Sequence, residues 1–250
     1  MNNKIASYGA TSLPGLNKMD KIKPDSAGYR NIVLGGFNLE NSSGVPYPLT
    51  DSVRSLFAVG GIVRRRLDKG LCRGEYAHPD ISNMSNSEAI RRLARIDENQ
   101  VSHHIRAINL EAHKDDKGND VVLTIGSVKP CGPKGPFLKE SLDNPEENVA
   151  FSIRSFTTPA MYRGKLARIV TDAITYDYVN EGGILAANKF TTASLEELLE
   201  QRIFSEEDFD NAIEELHNVA LEEESTSIAM IKSNLGWQKI QVVKASVLQW

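Results

Sequence analysis

Apolar residues between about positions 30 and 180 fall in short runs separated by polar, glycine-rich turns. Runs of this length, rich in β-branched and aromatic residues, are typical of strands rather than helices. The predicted strands are residues 31–37, 101–112, 121–125, 148–156 and 166–179. Several such strands with few helices predict an α+β fold, a mainly antiparallel β-sheet or barrel with helices packed outside it.

Two stretches of this central region show the spacing and capping residues of helices. Asp51 is placed to cap a helix over residues 52–69, although a double glycine in its middle weakens that pattern. Ser85 and Glu88 form a capping-box pattern that opens a second, shorter helix. Proline and glycine recur through residues 129–136, which predicts a loop there.

The two ends of the chain differ in character from the predicted sheet. Residues 1–30 are polar and interrupted by proline and glycine, which predicts a flexible N-terminal arm. Residues 191–250 are acidic, with helix-start patterns at Ser194 and Ser205 and an apolar terminal stretch that suits a strand. We therefore expect three parts: the arm, a central domain over residues 31–190, and an acidic helical C-terminal segment with a terminal strand.

Composition narrows the function classes. The apolar fraction of 40% and charged fraction of 25% are ordinary for a soluble protein with a sizeable core. No apolar run reaches the length of a membrane helix, and the N-terminus lacks the apolar stretch of a signal peptide, so we expect no membrane partner. Cys72 and Cys131 form no CxxC pattern, which favours a reducing cytoplasm. The net charge of −4 argues against a specific nucleic-acid partner, and the basic run 64–66 is typical of a solvated helix face.

One histidine and one serine stand out as candidates for chemistry. His78 follows a short basic stretch and precedes a proline that ends a tight turn. On the predicted strand around Ser152, alternation places Ser152 and Arg154 on one face and Ser155 on the core face. A serine hydroxyl needs a neighbouring base to become a nucleophile, and imidazole is suited to that task. Arg154 is placed to bind a substrate carboxylate or to help organise oxyanion donors.

Each of these residues alone is more often structural than catalytic, and spacing in the chain does not pair them. Metal binding is the other interpretation of the histidines, with Glu75, His78, His103 and His104 as ligands. The chain has no HExxH pattern and no cysteine pair to support it, so we expect neither metal nor cofactor.

Four segments in register with one another resemble a known family. Residues 74–79, Gly-Glu-Tyr-Ala-His-Pro, look like the Gly-Glu-Leu-x-His-Pro motif of the prohead core proteases of tailed bacteriophages. Residues 101–105 resemble the Val-Ser-His-x-Ile strand of that family, residues 149–155 its Val-Gly-Val-Ser-Ser-Arg-Gly strand, and residues 174–179 its Thr-Phe-Asp-x-Val strand. The resemblance covers about residues 30–190.

The chain departs from the family pattern at two motif positions and in one spacing. The family's second serine is Ile153 here, and its following glycine is Ser155. The segment of residues 156–168 is longer than the corresponding segment of the family, so the position of the oxyanion loop is not defined by the resemblance. Arg163 and Gly164 are the candidate donor turn.

The resemblance implies a serine endopeptidase with a herpesvirus-protease-like fold. In that family pattern Ser152 attacks the peptide carbonyl, His78 takes and returns a proton, and Asp177 orients the imidazole. The third member stays open, because His103 and His104 are alternatives. Asp172 is another, but strand alternation puts it on the face opposite Asp177.

The resemblance also implies where the protein acts and on what. Such enzymes work in the host cytoplasm inside the viral prohead, where they cut scaffold or core proteins and major capsid proteins, and often themselves. They cut after a glutamate that follows a small or aliphatic residue two positions earlier, which makes Glu196 and Glu222 candidate autocleavage sites. We also expect that the chain can form a homo-oligomer. The alternatives are a non-catalytic prohead component of the same fold and an unrelated cytosolic binding protein with an acidic tail.

Overall fold

The computed structural model describes residues 22–41, 44–115, 118–144, 147–179 and 202–236, together with the backbone of residues 5–11. The described strands are β1 (Ile5–Thr11), β2 (Arg30–Phe37), β3 (Leu39–Glu40), β4 (Pro46–Tyr47), β5 (Arg73–Glu75), β6 (Val101–Lys114), β7 (Asp120–Pro130), β8 (Ala150–Tyr162), β9 (Lys165–Val179) and β10 (Arg202–Ser205). The described α-helices are α1 (Asp51–Phe57), α2 (Ile62–Asp68), α3 (Asn86–Ala94), α4 (Gly135–Asp143), α5 (Glu206–Asn218) and α6 (Glu222–Asn234). A 3₁₀ turn, Glu98–Gln100, leads into β6.

The strands form two four-stranded antiparallel sheets and a small two-stranded one. Strand order is β10-β1-β8-β9 in the first sheet and β2-β7-β6-β5 in the second, with β3 paired to β4. A single parallel bridge between Tyr76 and Tyr178 joins the end of β5 to β9. The predicted α+β class with a mainly antiparallel sheet is therefore confirmed.

The β8–β9 pair is buried on both of its faces. Phe151 and Ile153 belong to the larger core cluster between the sheets. Phe156 and Ile174 belong to a second cluster that includes buried residues of α3, α5 and α6. Ser152, which lies between Phe151 and Ile153 in the chain, is consequently inside the protein rather than on an exposed sheet face.

Two bulges in β9 change which of its side chains share a face. Ser152 pairs with Asp177 and Arg154 with Thr175, after which the register shifts and Phe156 pairs with Asp172. The extra residue in β9 restores Asp172 to the same face as Asp177. The prediction that these two aspartates point to opposite faces was therefore wrong, because strand alternation holds only in the absence of a bulge.

Both ends of the chain take part in the first sheet. The predicted N-terminal arm contains β1, which lies between β10 and β8 in register with both. Edge strands expose unpaired N–H and C=O groups, and β1 supplies partners for those of β8. From the acidic C-terminal segment, β10 joins the same sheet and α5 packs into the second core cluster. The three-part division of the chain stays a prediction, and the helix start at Ser194 and the terminal strand lie outside the described residues.

The structure revises two of the local predictions. The helix over residues 52–69 is two helices, α1 and α2, separated at a double glycine. Gly60 has φ +83°, outside the helical region, so a continuous helix does not form. The chain then passes so close to α1 that a Cβ on Gly61 would lie 2.2 Å from the Ser55 carbonyl oxygen. Thr50, not Asp51, accepts the capping hydrogen bond.

The second revision concerns the predicted loop over residues 129–136, which is shorter than expected. Strand β7 continues to Pro130, and α4 begins at Gly135 with Pro136 in its first turn. A proline is tolerated there, because the N–H it lacks has no partner within the helix. The capping boxes at Ser85 and Ser205 are confirmed.

Candidate active site

Residues from three chain segments meet at Asp177 on β9. Ser152 lies directly across from Asp177 in the β8–β9 register, and opposed residues of an antiparallel pair project to the same face. His78 Nδ1 lies 3.0 Å from Asp177 Oδ2. Ser152 and His78, the candidate nucleophile and base, therefore both neighbour Asp177, the candidate orienting acid.

The turn that carries His78 is held against β9 by backbone hydrogen bonds. Ala77 has φ +60° and donates its N–H to the Tyr178 carbonyl at 2.7 Å. The N–H of Tyr76 donates to the Gln100 carbonyl at 2.8 Å. A left-handed alanine is strained by about 1–3 kcal/mol and persists only where its surroundings fix it. That conformation bends the chain after β5 and brings His78 back to the Asp177 side chain.

Asp177 is held as a carboxylate although it has no exposed surface. Arg154 donates from Nε to Oδ2 at 2.9 Å and from Nη2 to Oδ1 at 2.8 Å, and the N–H of Glu75 donates to Oδ1 at 3.0 Å. Burial alone raises the pKa of Asp177. The Arg154 charge and the hydrogen bonds from His78 and Arg154 outweigh burial, so the pKa lies well below its ordinary value.

An ionised Asp177 fixes the tautomer of His78. A carboxylate only accepts hydrogen bonds, so the proton of a neutral imidazole at this contact must be on Nδ1. The lone pair is then on Nε2, the nitrogen that acts as base in a serine–histidine pair. Ser152 Oγ is buried and has no hydrogen-bond partner among the described residues, and such a group usually has a functional explanation.

Arg154 does not occupy the substrate-binding or oxyanion position predicted from the sequence. The residue has no exposed surface, and its guanidinium contacts Asp177, Glu75 and the Arg95 carbonyl. Its donors point into the protein, so Arg154 supports the Asp177 carboxylate instead of reaching a peptide.

Arg163 and Gly164 are also far from the site. They form the tight turn at the tip of the β8–β9 hairpin, with φ +49° and +79°, between the paired residues Tyr162 and Lys165. At about 3.3 Å per residue, the strand carries this turn roughly 35 Å from Ser152. The prediction that this turn donates hydrogen bonds at the active site is therefore wrong.

The three alternatives to Asp177 have other surroundings. His104 contacts the Tyr29 hydroxyl and the Gly70 carbonyl. Asp172 lies about 13 Å farther along β9 and faces Asn234 of α6. His103 is buried in the core with its ring edge-on to Phe151, and burial lowers the pKa of His103 to about 4. Asp177 is thus the residue among these four that contacts His78 in the described structure.

Sequence reasoning missed two residues of the site. In the sequence, Glu75 stands out only as a candidate metal ligand, and Arg92 on α3 does not stand out at all. Arg92 Nη2 and Glu75 Oε2 are 2.5 Å apart, and Glu75 also pairs with Arg154. The position of Glu75 inside the histidine motif was the one available signal. Nothing in the periodicity of α3 indicated that Arg92 faces a buried carboxylate.

The described residues contain no group of three or more histidine, cysteine or acidic side chains arranged to hold a metal ion. Within the same part of the chain, the helices are too short or too polar to span a bilayer. Of the two predicted autocleavage sites, Glu196 lies outside the described residues. Glu222 is exposed at the start of α6, after a turn in which Ala220 has φ +57°.

Comparison with known proteins gives three findings. A solved structure of the bacteriophage T4 capsid assembly protease, gp21, is similar with a TM-score of 0.44 and 16% identity, over 70% of this chain and 98% of that one. The capsid maturation protease of Pseudomonas phage phiKZ is 35% identical over 205 residues, which are 80% of this chain and 74% of that protein. The model of the Peptidase S80 family matches residues 8–241. With most of its length covered by both the family model and the phiKZ protein, the chain belongs to the Peptidase S80 family, as its resemblance to phage prohead proteases predicted.

Proposed function

We propose that this protein is a serine endopeptidase with Ser152 as nucleophile, His78 as general base and acid, and Asp177 as the group that orients His78. The observation that carries the proposal is the 3.0 Å contact between His78 Nδ1 and Asp177 Oδ2, directly across the strand pair from Ser152. Membership of a peptidase family supports the reaction class.

The roles follow from the protonation states. Ser152 Oγ attacks the carbonyl carbon of the substrate while its proton passes to His78 Nε2. The buried Asp177 carboxylate stabilises the imidazolium that forms. His78 then gives the proton to the leaving amine, and a water molecule hydrolyses the acyl-enzyme by the same route. General acid–base help of this kind contributes about 10²–10⁴-fold in rate. The proposed scheme consumes one water molecule and otherwise uses only groups of the protein, without a cofactor.

The substrates we propose are scaffold or core proteins and major capsid proteins inside the prohead, assembled in the host cytoplasm. The support is the 35% identical phiKZ relative, which is named as a capsid maturation protease. A herpesvirus-protease-like architecture, as a mainly antiparallel sheet or a barrel, belongs to the same proposal. The joined antiparallel sheets with helices on the outer face of β8 and β9 are compatible with it.

Self-processing is a further part of the proposal, with Glu222 as the site that the described residues support. Leu221 is exposed just before α6 and Glu222 is the exposed first residue of that helix, so a proteolytic cut there needs only the first turn of α6 to unfold. Glu196 is retained as a second proposed site.

A fluorophosphonate probe tests the proposed function directly. We expect wild-type protein to be labelled, and Ser152→Ala and His78→Gln to lose the label. Ser155→Ala is the matched control, because Ser155 is buried on the same strand but pairs with Ala173, beyond the bulge. Because Ser152 is 1% exposed, labelling requires local opening and is followed over hours.

Processing of capsid proteins distinguishes the enzyme from its alternative. Wild-type protein mixed with the scaffold and capsid proteins of the same phage should create new N-termini, and Ser152→Ala should not. Assembly with capsid protein without labelling and without cleavage would favour the non-catalytic prohead component.

A further inference from the structure

A line of alternating charges extends from the candidate active site to α3. Asp177 binds Arg154, Arg154 binds Glu75, and Glu75 binds Arg92. Asp177, Arg154 and Glu75 have at most 1% exposed surface, and the side chain of Arg92 is 15% exposed. The line therefore begins beside His78 and ends near the surface of the helix.

Glu75 is the centre of this arrangement. Its Oε1 accepts hydrogen bonds from the Asp97 N–H at 2.7 Å, from Arg92 Nη1 at 3.1 Å and from Arg154 Nη1 at 3.2 Å. Its Oε2 lies 2.5 Å from Arg92 Nη2 and 3.2 Å from Arg154 Nη2. One carboxylate is thus shared between two guanidinium groups, and the backbone N–H of Glu75 itself donates to Asp177.

The sharing has an electrostatic consequence for His78. Arg154 alone would neutralise the Asp177 carboxylate and weaken its support of a histidine cation. Glu75 offsets the Arg154 charge, and Arg92 in turn offsets Glu75, so that the four groups sum to zero. Charges in a buried site interact far more strongly than in water, so removing one member changes the field at His78.

We propose that Glu75 and Arg92 are positioning residues of the active site, which set through Arg154 the charge and orientation that Asp177 presents to His78. The inference rests on the proposed function for its catalytic meaning. Neither residue touches a substrate in this scheme.

Helix α3 connects the same residues to the rest of the fold. Arg92 directly precedes Leu93, which has no exposed surface and packs in the second core cluster. The carbonyl of Arg95, just after the helix, accepts a hydrogen bond from Arg154 Nη1 at 3.0 Å. Helix α3 thus packs against α5 and α6 on one side and contacts Glu75 and Arg154 through Arg92 and the Arg95 carbonyl on the other.

Among the contacts shown in the described part of the chain, the charged groups behind the His78–Asp177 pair are Arg154 of β8, Glu75 of β5 and, next to Glu75, Arg92 of α3. His103 of β6 also lies close enough to interact with Asp177, and burial lowers the pKa of His103 to about 4, which leaves it neutral above that pH. Because Glu75 is negative and Arg92 is positive, neutral substitutions at the two positions are expected to change the electrostatic field at His78 in opposite directions.

The test is an NMR pH titration of the histidine rings in the Ser152→Ala background, with the His78 signal assigned by its loss in His78→Gln. Glu75→Gln removes a negative charge, so the imidazolium is less favoured and the midpoint of the His78 titration should fall by about one pH unit. Arg92→Gln removes a positive charge and should raise the midpoint by a smaller amount. The double variant restores the balance and should return the midpoint toward the starting value.

A matched control and a second readout complete the design. Arg91→Gln alters the neighbouring arginine of α3, which pairs with Glu215 at the surface, and should leave the midpoint unchanged. In the active background, the acidic limb of kcat/KM should move with each midpoint, to lower pH for Glu75→Gln and to higher pH for Arg92→Gln. Arg92→Gln, at the more exposed end, keeps the test decisive if Glu75→Gln does not fold.

Equal midpoints in all folded variants, or shifts of the same sign for Glu75→Gln and Arg92→Gln, would overturn the inference. A purely structural role lowers the free energy of unfolding without this signed pattern. If wild-type protein takes no fluorophosphonate label while the midpoints move as expected, the proposed function fails and the positioning network stands. If wild-type protein is labelled but the midpoints do not move, the proposed function stands and the positioning network fails.

Discussion

Arg154 and Asp177 form a bidentate ion pair, and neither residue has exposed surface. Nε and Nη2 of Arg154 contact the two oxygens of Asp177 at 2.9 and 2.8 Å. A buried pair is weak evidence for net stability, because both ions lose their hydration. What the geometry provides is orientation: two parallel hydrogen bonds fix the plane of the carboxylate that receives His78.

The first prediction is that Arg154→Met strongly destabilises the protein. The substitution leaves two carboxylates, Asp177 and Glu75, buried without their shared cation. Breaking a buried pair in this way costs about 3–5 kcal/mol in the free energy of unfolding. Urea unfolding at pH 7 measures the loss.

Arg64→Met is the matched control for that measurement. Arg64 pairs with Asp68 on α2, and both side chains are about half exposed. Exposed pairs are worth about 0–1 kcal/mol, so the control should barely change the unfolding midpoint. Similar losses for the two variants would contradict the role assigned to Arg154.

The second prediction concerns acid sensitivity that originates at His103. Burial lowers the pKa of His103 to about 4, compared with about 6.5 in an unfolded chain. Between these values the unfolded state binds a proton that the folded state does not. The contribution of His103 to stability is therefore fully present above about pH 6.5, and is lost as the pH falls toward 4, with a slope of about 1.4 kcal/mol per pH unit.

His103→Gln removes this titration and should flatten the stability profile between pH 6.5 and 4. The free energy of unfolding, measured by urea at half-unit pH intervals, gives the slope for each protein. His113→Gln is the control, because the His113 side chain is about half exposed. The pKa of Asp177 lies well below its ordinary value, so the stability that Asp177 contributes is lost only below about pH 4. A steep slope that survives in His103→Gln would show that other groups cause it.

The strands were predictable because alternation and turn residues are local signals. β2, β6, β7, β8 and β9 all fall where apolar runs end at glycine or polar clusters. The capping boxes of α3 and α5 were predictable for the same reason, because Ser85 and Ser205 each form hydrogen bonds with a residue only three positions away. Membership of the family rested on four short motifs in register, and the comparisons confirmed it.

The parts that could not be predicted depend on contacts between distant residues. The bulges of β9 are visible only as shifts in its pairing with β8, so alternation assigned Asp172 to the wrong face. Arg154 was expected to face a substrate, because the sequence does not show that Glu75 and Arg92 lie beside it. The contact of His78 with Asp177 spans 99 positions, and only the resemblance suggested it.

The third prediction tests the close approach at Gly74. A Cβ there would lie 2.1 Å from the Tyr176 carbonyl oxygen and 2.3 Å from the His103 ring. Because the nearest atom is backbone, Gly74→Ala must push β5 away from β9, which also displaces His78. We expect a loss of about 2–3 kcal/mol in the free energy of unfolding, from overpacking, and loss of fluorophosphonate labelling.

Gly118→Asn is the control for this steric argument. Gly118 has φ +80° with open space around its Cβ position, and asparagine tolerates that conformation. Its stability and labelling should stay close to wild type. A Gly74→Ala protein with normal stability and labelling would show that the two strands have room to separate.

The last prediction is that wild-type protein slowly cuts itself after Glu222, at the junction of α5 and α6. Ser225, Ile228 and Ile231 of α6 are buried, so its separation would expose apolar surface of the second core cluster. Mass spectrometry after long incubation should find a product that ends at Glu222, and binding of a hydrophobic dye should rise with it. Glu222→Gln should block the cut, whereas Glu223→Gln should not, since the two variants change charge equally and differ only in position. Ser152→Ala should remain intact under the same conditions. If the product forms equally in Ser152→Ala, a contaminating protease makes it. If it forms equally in Glu222→Gln, the active site does not select this glutamate.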